Sequence, residues 1–138
     1  MSLKEEDRRI IVELEMEKAE RILAQWEALS RAQLWDTLAN RLYYALFHAV
    51  SAMLVYDCHE VGTHRGAANR FHMYYVRTGR FTKEEGSFYS QMQTMREEGD
   101  YNCSYNVTES DILPRVELVC RFVEKVKRYI KTSGNNPS

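Results

Sequence analysis

Apolar residues recur along this chain at three- and four-residue steps in five separate stretches, and strand-like alternation is found nowhere. The first stretch, about Glu5 to Ser30, places Ile10, Leu14, Ile22, Trp26 and Leu29 at helical steps, with Ile11, Ala19 and Leu23 beside them. Glu13, Glu17, Glu20 and Arg21 take the other face, which predicts a long amphipathic helix. The second stretch, about Leu34 to Tyr56, is apolar on more of its circumference. Leu38, Leu42, Leu46, Ala49, Val50, Met53 and Leu54 form one stripe, and Tyr43, Tyr44 and Phe47 widen it almost all round. A helix of that kind is central and meets either several neighbours or a second subunit. At 1.5 Å per residue the two helices are each roughly 35–40 Å long, and matched lengths suit an antiparallel bundle.

The remaining stretches are shorter and carry their own start and stop signals. Residues 64–78 follow Thr63, a natural N-cap, and precede Gly79, a natural stop; Ala67, Phe71, Tyr74 and Tyr75 are their buried stripe. Thr82 and Glu85 have the spacing of a capping box, and Phe88, Met92 and Met95 follow at helical steps up to an expected stop at Gly99. Residues 100–107 read as a polar loop. A last helix begins between Thr108 and Asp111, the later start being favoured because Pro114 is tolerated only in a first turn. Ile112, Val116, Val119, Val123, Val126 and Ile130 keep its period. The expected architecture is all-α: an up-and-down bundle of four long helices plus the shorter one at 64–78, in one domain over residues 1–133 with a frayed tail at 134–138.

Composition agrees and narrows the chemistry. With 138 residues, six Gly and two Pro, the chain suits few, long elements rather than a turn-rich β fold. A net charge of −1 gives no whole-molecule field that would draw a nucleic acid. The distribution is less even. Residues 61–83 hold Arg65, Arg70, Arg77, Arg80 and Lys83 with no acid, and tyrosines are interleaved among them. That run reads either as a solvated helix face or as a contact for RNA backbone and bases. Arg70 and Arg77, seven residues apart, are placed to share a phosphate-bearing ligand. Cys58, Cys103 and Cys120 are widely spaced and read as reduced thiols of a cytoplasmic protein. No stretch has membrane-spanning length, and His59, His64 and Cys58 lack the third and fourth ligands of a zinc site, so neither membrane, metal nor cofactor is expected.

The chemistry concentrates at Arg96-Glu97-Glu98-Gly99-Asp100-Tyr101, with Asp100 and Tyr101 expected to turn back towards Arg96 past a glycine stop. Several motifs in order then carry a resemblance: Lys18-Ala19-Glu20, Arg41-Leu42-Tyr43-Tyr44-Ala45-Leu46-Phe47-His48-Ala49, Thr63-His64-Arg65-Gly66, Val76-Arg77-Thr78-Gly79, Arg96-x-x-x-Asp100-Tyr101 and Val107-Thr108-Glu109. Together, over roughly residues 8–131, they resemble the small prokaryotic HEPN-domain proteins. The resemblance implies a helical bundle that dimerises and that is often paired with a minimal nucleotidyltransferase in toxin–antitoxin systems. Many members are metal-independent ribonucleases with an Arg-x(4–6)-His motif. Here Tyr101 stands where that histidine would be, and a tyrosine is a poor general base at neutral pH. What the resemblance implies for this chain is therefore a nucleotide- or RNA-binding module. Arg96 would hold phosphate, Asp100 would orient Arg96 or accept a ribose hydroxyl, Asn40 would complete the pocket, and Tyr101 would stack or be adenylylated by the partner. A ribonuclease toxin and a purely structural dimerisation subunit are the alternatives. Arg41 with His48, and Arg65 with His72, match the ribonuclease spacing as coincidences in a chain with thirteen arginines.

Overall fold

The computed structural model describes residues 4–134, with side chains through residue 132, and every regular element among them is helical. The helices are α1 (Glu5–Leu23), α2 (Trp26–Arg31), α3 (Trp35–Tyr56), α4 (His64–Phe71), α5 (Lys83–Tyr101), α6 (Glu109–Ile112) and α7 (Arg115–Gly134). A π-helical turn, His72–Val76, extends α4. The expected tail beyond Gly134 lies outside the described residues.

Helix α3 is the axis of the bundle. Helices α1, α5 and α7 all pack along it, and α2, α4 and α6 close its ends. Twelve of its residues are buried, among them Leu38, Leu42, Tyr43, Leu46 and Met53. The wide apolar girth read from the sequence is thus occupied by neighbours within the same chain. Phe71, Tyr75, Phe81, Tyr89 and Phe122 supply the aromatic bulk between α4, α5 and α7.

Local signals account for most boundaries. The Thr63 hydroxyl accepts the Gly66 amide, and Thr82 and Glu85 form the reciprocal capping box the sequence predicts. A second capping box joins Thr108 and Asp111 at the head of α6. The last helix starts later than the expected Thr108–Asp111: Thr108 caps only a short turn, α6, and α7 begins at Arg115, directly after Pro114.

Three further expectations need correction. The first helix does not run unbroken to Ser30: the Gln25 amide bonds to Ile22 O, three residues back, and a short turn separates α1 from α2. Its buried face is set by Val12, Ala19 and Ile22, leaving Ile10 and Leu14 about half exposed. The stretch at 64–78 is not uniformly α-helical. Its π turn brings His72 and Val76 against Gly86 of α5, where a Cβ would lie 3.1–3.2 Å from their side chains. Finally, Gly99 is not a helix stop. The chain stays helical through Tyr101, and Asn102 ends α5 in an extended conformation.

Candidate functional site

Two polar side chains interrupt the mostly apolar α3 near its start, Thr37 and Asn40, and Asp36 precedes them in the first turn. These three face the last turns of α5 and, with Met95, Arg96, Gly99, Asp100 and Val107, line an open cleft of about 290 Å3. The Asp36 carboxylate, favoured at a helix N-terminus, accepts the Val107 amide at 2.8 Å and so pins the loop before α6 to the cleft wall. Asn40, Arg96 and Asp100, three residues singled out in the sequence, are brought together here.

Arg96 is the centre of the arrangement. Its side chain is only 10% exposed, with the guanidinium carbon 5.2 Å from the Tyr43 ring centre and 5.9 Å from that of Tyr44. One terminal nitrogen donates to Asp100 Oδ2 at 3.1 Å, an i,i+4 pair that exists because the helix continues through Gly99. Arg96 Nε and the Tyr89 hydroxyl are fully buried without a partner in ideal hydrogen-bonding geometry, and the Tyr43 hydroxyl is the polar neighbour of both side chains. Burial would lower the Arg96 pKa, but the Asp100 hydrogen bond and the neighbouring tyrosines outweigh it and leave it raised. The group is a permanent cation.

Behind Arg96 stands a cluster that sequence reasoning did not assemble. Tyr43 is fully buried, and its hydroxyl lies 2.8 Å from His64 Nδ1. Burial pushes the Tyr43 phenol up to about 12, against the pull of Arg96, so it remains neutral. His64 stacks on Phe47 with ring centres 4.3 Å apart. Burial, then Arg96 and His48, lower its pKa, with Glu97 opposing. His48 is a partner of Glu15 at 3.0 Å. Only tertiary pairing of α4 with α3 brings His64 here; the polar trio 36, 37 and 40 could have been found as one helical face.

The other candidates lie elsewhere. Tyr101 is 82% exposed and does not line the cleft. Because α5 continues, five residues separate it from Arg96 by about 140° around the helix, rather than folding it back. Arg70 donates to Val61 O at 3.2 Å and pairs loosely with Glu60, while Arg77 is exposed beside Asn69 and Met73. The π turn between them breaks the seven-residue register that placed them on one face. His59 stacks flat on Tyr74, ring centres 3.9 Å apart. Among the described residues no helix is long and apolar enough to cross a membrane.

With this geometry in place, comparison with known proteins is direct. The family model described as HEPN domain matches residues 12–129. A UPF0332 protein of Thermotoga maritima is 29% identical over 127 residues, covering 84% of this chain and 96% of its own length. A Methanocaldococcus jannaschii protein whose name marks it as a candidate toxin is 26% identical over 115 residues, 83% of this chain and 78% of its own. A UPF0332 protein of Archaeoglobus fulgidus is 27% identical over 119 residues, 86% of this chain and 94% of its own.

Proposed function

The chain belongs to the HEPN family, and on that premise we propose that it is a nucleotide- or RNA-binding module of a toxin–antitoxin-like pair whose other member is a minimal nucleotidyltransferase. The observation that carries the binding role is Arg96: a cation nine-tenths buried at the wall of the cleft, held by Asp100 and two tyrosine rings. A guanidinium at the wall of an open cleft offers a charge-assisted hydrogen bond to a phosphate there. Two archaeal relatives named as candidate toxins support the setting. Their names concern those proteins, and the antitoxin partner here is part of the proposal.

In this reading Tyr101 is the acceptor for adenylylation. Its exposure supports the role, whereas Tyr43 is buried, and Tyr105 is partly covered and packs on the core. Intact-mass analysis after co-expression with the nucleotidyltransferase is expected to show one added nucleotide in wild type and none in Tyr101→Phe. The homodimer of this reading rests on the family resemblance and uses the exposed end of α5, since α3 is already covered. Light scattering at tens of micromolar is expected to give twice the chain mass.

His64 favours a second reading, a ribonuclease toxin. Its ring shares Tyr43 with Arg96, and a lowered pKa keeps it neutral and able to take up a proton at neutral pH. Total RNA incubated with wild type and Arg96→Ala separates the two. The binding module retains RNA or nucleotide in an Arg96-dependent way and leaves the RNA intact. Arg96-dependent cutting would establish the ribonuclease instead.

A further inference from the structure

Helices α5 and α7 both pack along α3 but hardly on each other, and long side chains bridge the space between them. Lys125 Nζ reaches Glu85 Oε1 at 2.7 Å near the start of α5, and Arg115 Nη2 lies 3.5 Å from Gln91 Oε1 further along. Two hollows, of about 380 and 450 Å3, adjoin at Gln91 and form one groove. Phe88, Leu118 and Phe122 are the apolar lining of the first, and Met95 and Tyr105 that of the second. Leu118 is left 45% exposed. The groove is separate from the Arg96 cleft, although Met95 borders both.

The spacing of the lining says what shape fits. Along α5 it falls at Glu84, Phe88, Gln91 and Met95, steps of four, three and four. Along α7 it falls at Arg115, Leu118 and Phe122, steps of three and four. These are the heptad steps with which one helix receives another. From Glu84 to Met95 the groove is about 16 Å long, three turns of a guest helix. The chain offers no such guest among its described residues. Of its exposed large apolar side chains, only Ile10 and Leu14 share a helix face, and they span one turn. Charge then fixes the guest's orientation. The α7 wall carries Arg115 and Arg121, while Asp111 beside them is spent on capping Thr108. Arg121 is held by an exposed pair with Glu117, which a guest carboxylate replaces at little cost. The α5 wall is neutral at Ser90, Gln91 and Thr94 and acidic at its start, Glu84.

We propose that the groove between α5 and α7 is the docking site for an amphipathic helix of the partner protein, with apolar side chains at three- and four-residue steps and carboxylates along the flank that meets α7. This rests on the reading of the chain as one member of a two-protein pair. Because Met95 borders both, a partner seated in the groove stands at the rim of the Arg96 cleft.

The test is titration calorimetry of the chain with the nucleotidyltransferase, each purified separately, at about 0.05 and 0.2 M salt. Leu118→Glu and Arg121→Glu place a carboxylate at exposed groove positions, and Leu14→Glu makes the same change on the exposed face of α1. Circular dichroism and light scattering check the fold and mass of each variant. Leu118→Glu is expected to weaken the complex about tenfold or more, and Arg121→Glu about threefold, with a larger effect at the lower salt. Leu14→Glu should change it less than about twofold. A complex indifferent to Leu118→Glu would overturn this inference and leave the two-protein pair standing. A wild-type dimer that Leu118→Glu splits would give the groove to a second copy and overturn it as well. No complex with the folded wild type would overturn both this inference and the pair.

Discussion

Two ends of helix α3 bury a charged group among tyrosines, and they do so to opposite effect. At the C-terminal end, Asp57 Oδ2 accepts the Tyr75 and Tyr129 hydroxyls, each at 2.7 Å. Arg80 in turn donates to the Tyr129 hydroxyl at 3.1 Å. Burial and the Asp57 hydrogen bond push the Tyr129 phenol up to about 12, and Tyr75 further still. The charge, both phenols and the flanking cation are engaged, and α3, the π turn and α7 are tied together. Some 25 Å away along the axis, counting from Asp57 to Asn40, Arg96 lies on Tyr43 and Tyr44 with an open cleft alongside. A closed network stabilises the fold. A cation at the wall of an open cleft is the feature on which the proposed binding role rests.

Substituting the two charges should separate these roles most strongly. Asp57→Ala removes a charged acceptor of two hydrogen bonds and should cost about 3 kcal/mol of stability in urea denaturation. Arg96→Ala, which loses cation–π contacts and the pair with the part-exposed Asp100, should cost about 1–2 kcal/mol. If Arg96 proves the more costly of the two, it is a structural clamp and the contrast fails.

The phenols give a finer version. Tyr75→Phe should cost about 1–2 kcal/mol because its hydroxyl bonds to Asp57. Tyr89→Phe removes a buried hydroxyl whose neighbour is the Tyr43 hydroxyl, in geometry too poor for a full hydrogen bond, and should cost less than about 1 kcal/mol. A Tyr89→Phe loss as large as that of Tyr75→Phe, measured by thermal unfolding, would mean that Tyr89 is engaged after all.

Two glycines test the helix that carries Arg96. Gly79 has φ +85° and Gly99 sits inside α5 with open space where a Cβ would go. Gly79→Ala should destabilise by about 1 kcal/mol, and Gly99→Ala should stabilise by about 0.5–1 kcal/mol. Opposite signs support a helix continuous through Asp100; a destabilising Gly99→Ala would restore the glycine stop.

The smallest effect is a pH dependence. His64 titrates below its ordinary value of 6.5 because burial, Arg96 and His48 disfavour its charge, so the unfolded chain takes the proton first as pH falls. Its contribution is full above pH 6.5 and is lost as the pH falls through the lower folded value. Glu97, and the Glu15 that holds His48, face the same cluster and moderate the slope. Between pH 5 and 7.5, wild-type stability should therefore decline on acidification more than that of His64→Gln. Parallel profiles would remove His64 from the account.

How much of this was legible in the sequence follows from whether local or tertiary forces decided each feature. The caps at Thr63 and Thr82 are local, and both formed as their spacing predicts. Helix α3 was legible as central because apolar residues cover most of its circumference beyond the first turn. The convergence of Asn40 with Arg96 and Asp100 came from family topology, and the cleft contains all three. The break at Ala24–Gln25 was not legible, since both residues keep right-handed helical angles and only one hydrogen-bond step changes. Gly99 misled because glycine permits a left-handed stop without requiring one. Here Asn102 bonds back to Glu98 through both amide and side chain, and the helix ends there. The place of His64 beside Tyr43 depends on how α4 crosses α3, which no spacing in the chain encodes.

The most direct test of the central claim follows the arginine Nε–H signals by two-dimensional 1H–15N NMR, with Arg96 and Arg80 assigned through their lysine variants. Titration with nucleoside monophosphate and with RNA should shift the Arg96 Nε–H as a phosphate binds its guanidinium, leaving Arg80, engaged with Tyr129 at the closed end, in place. Shifts confined to Arg70, Arg77 or Arg80, or a set of arginine signals that does not move, would contradict the account.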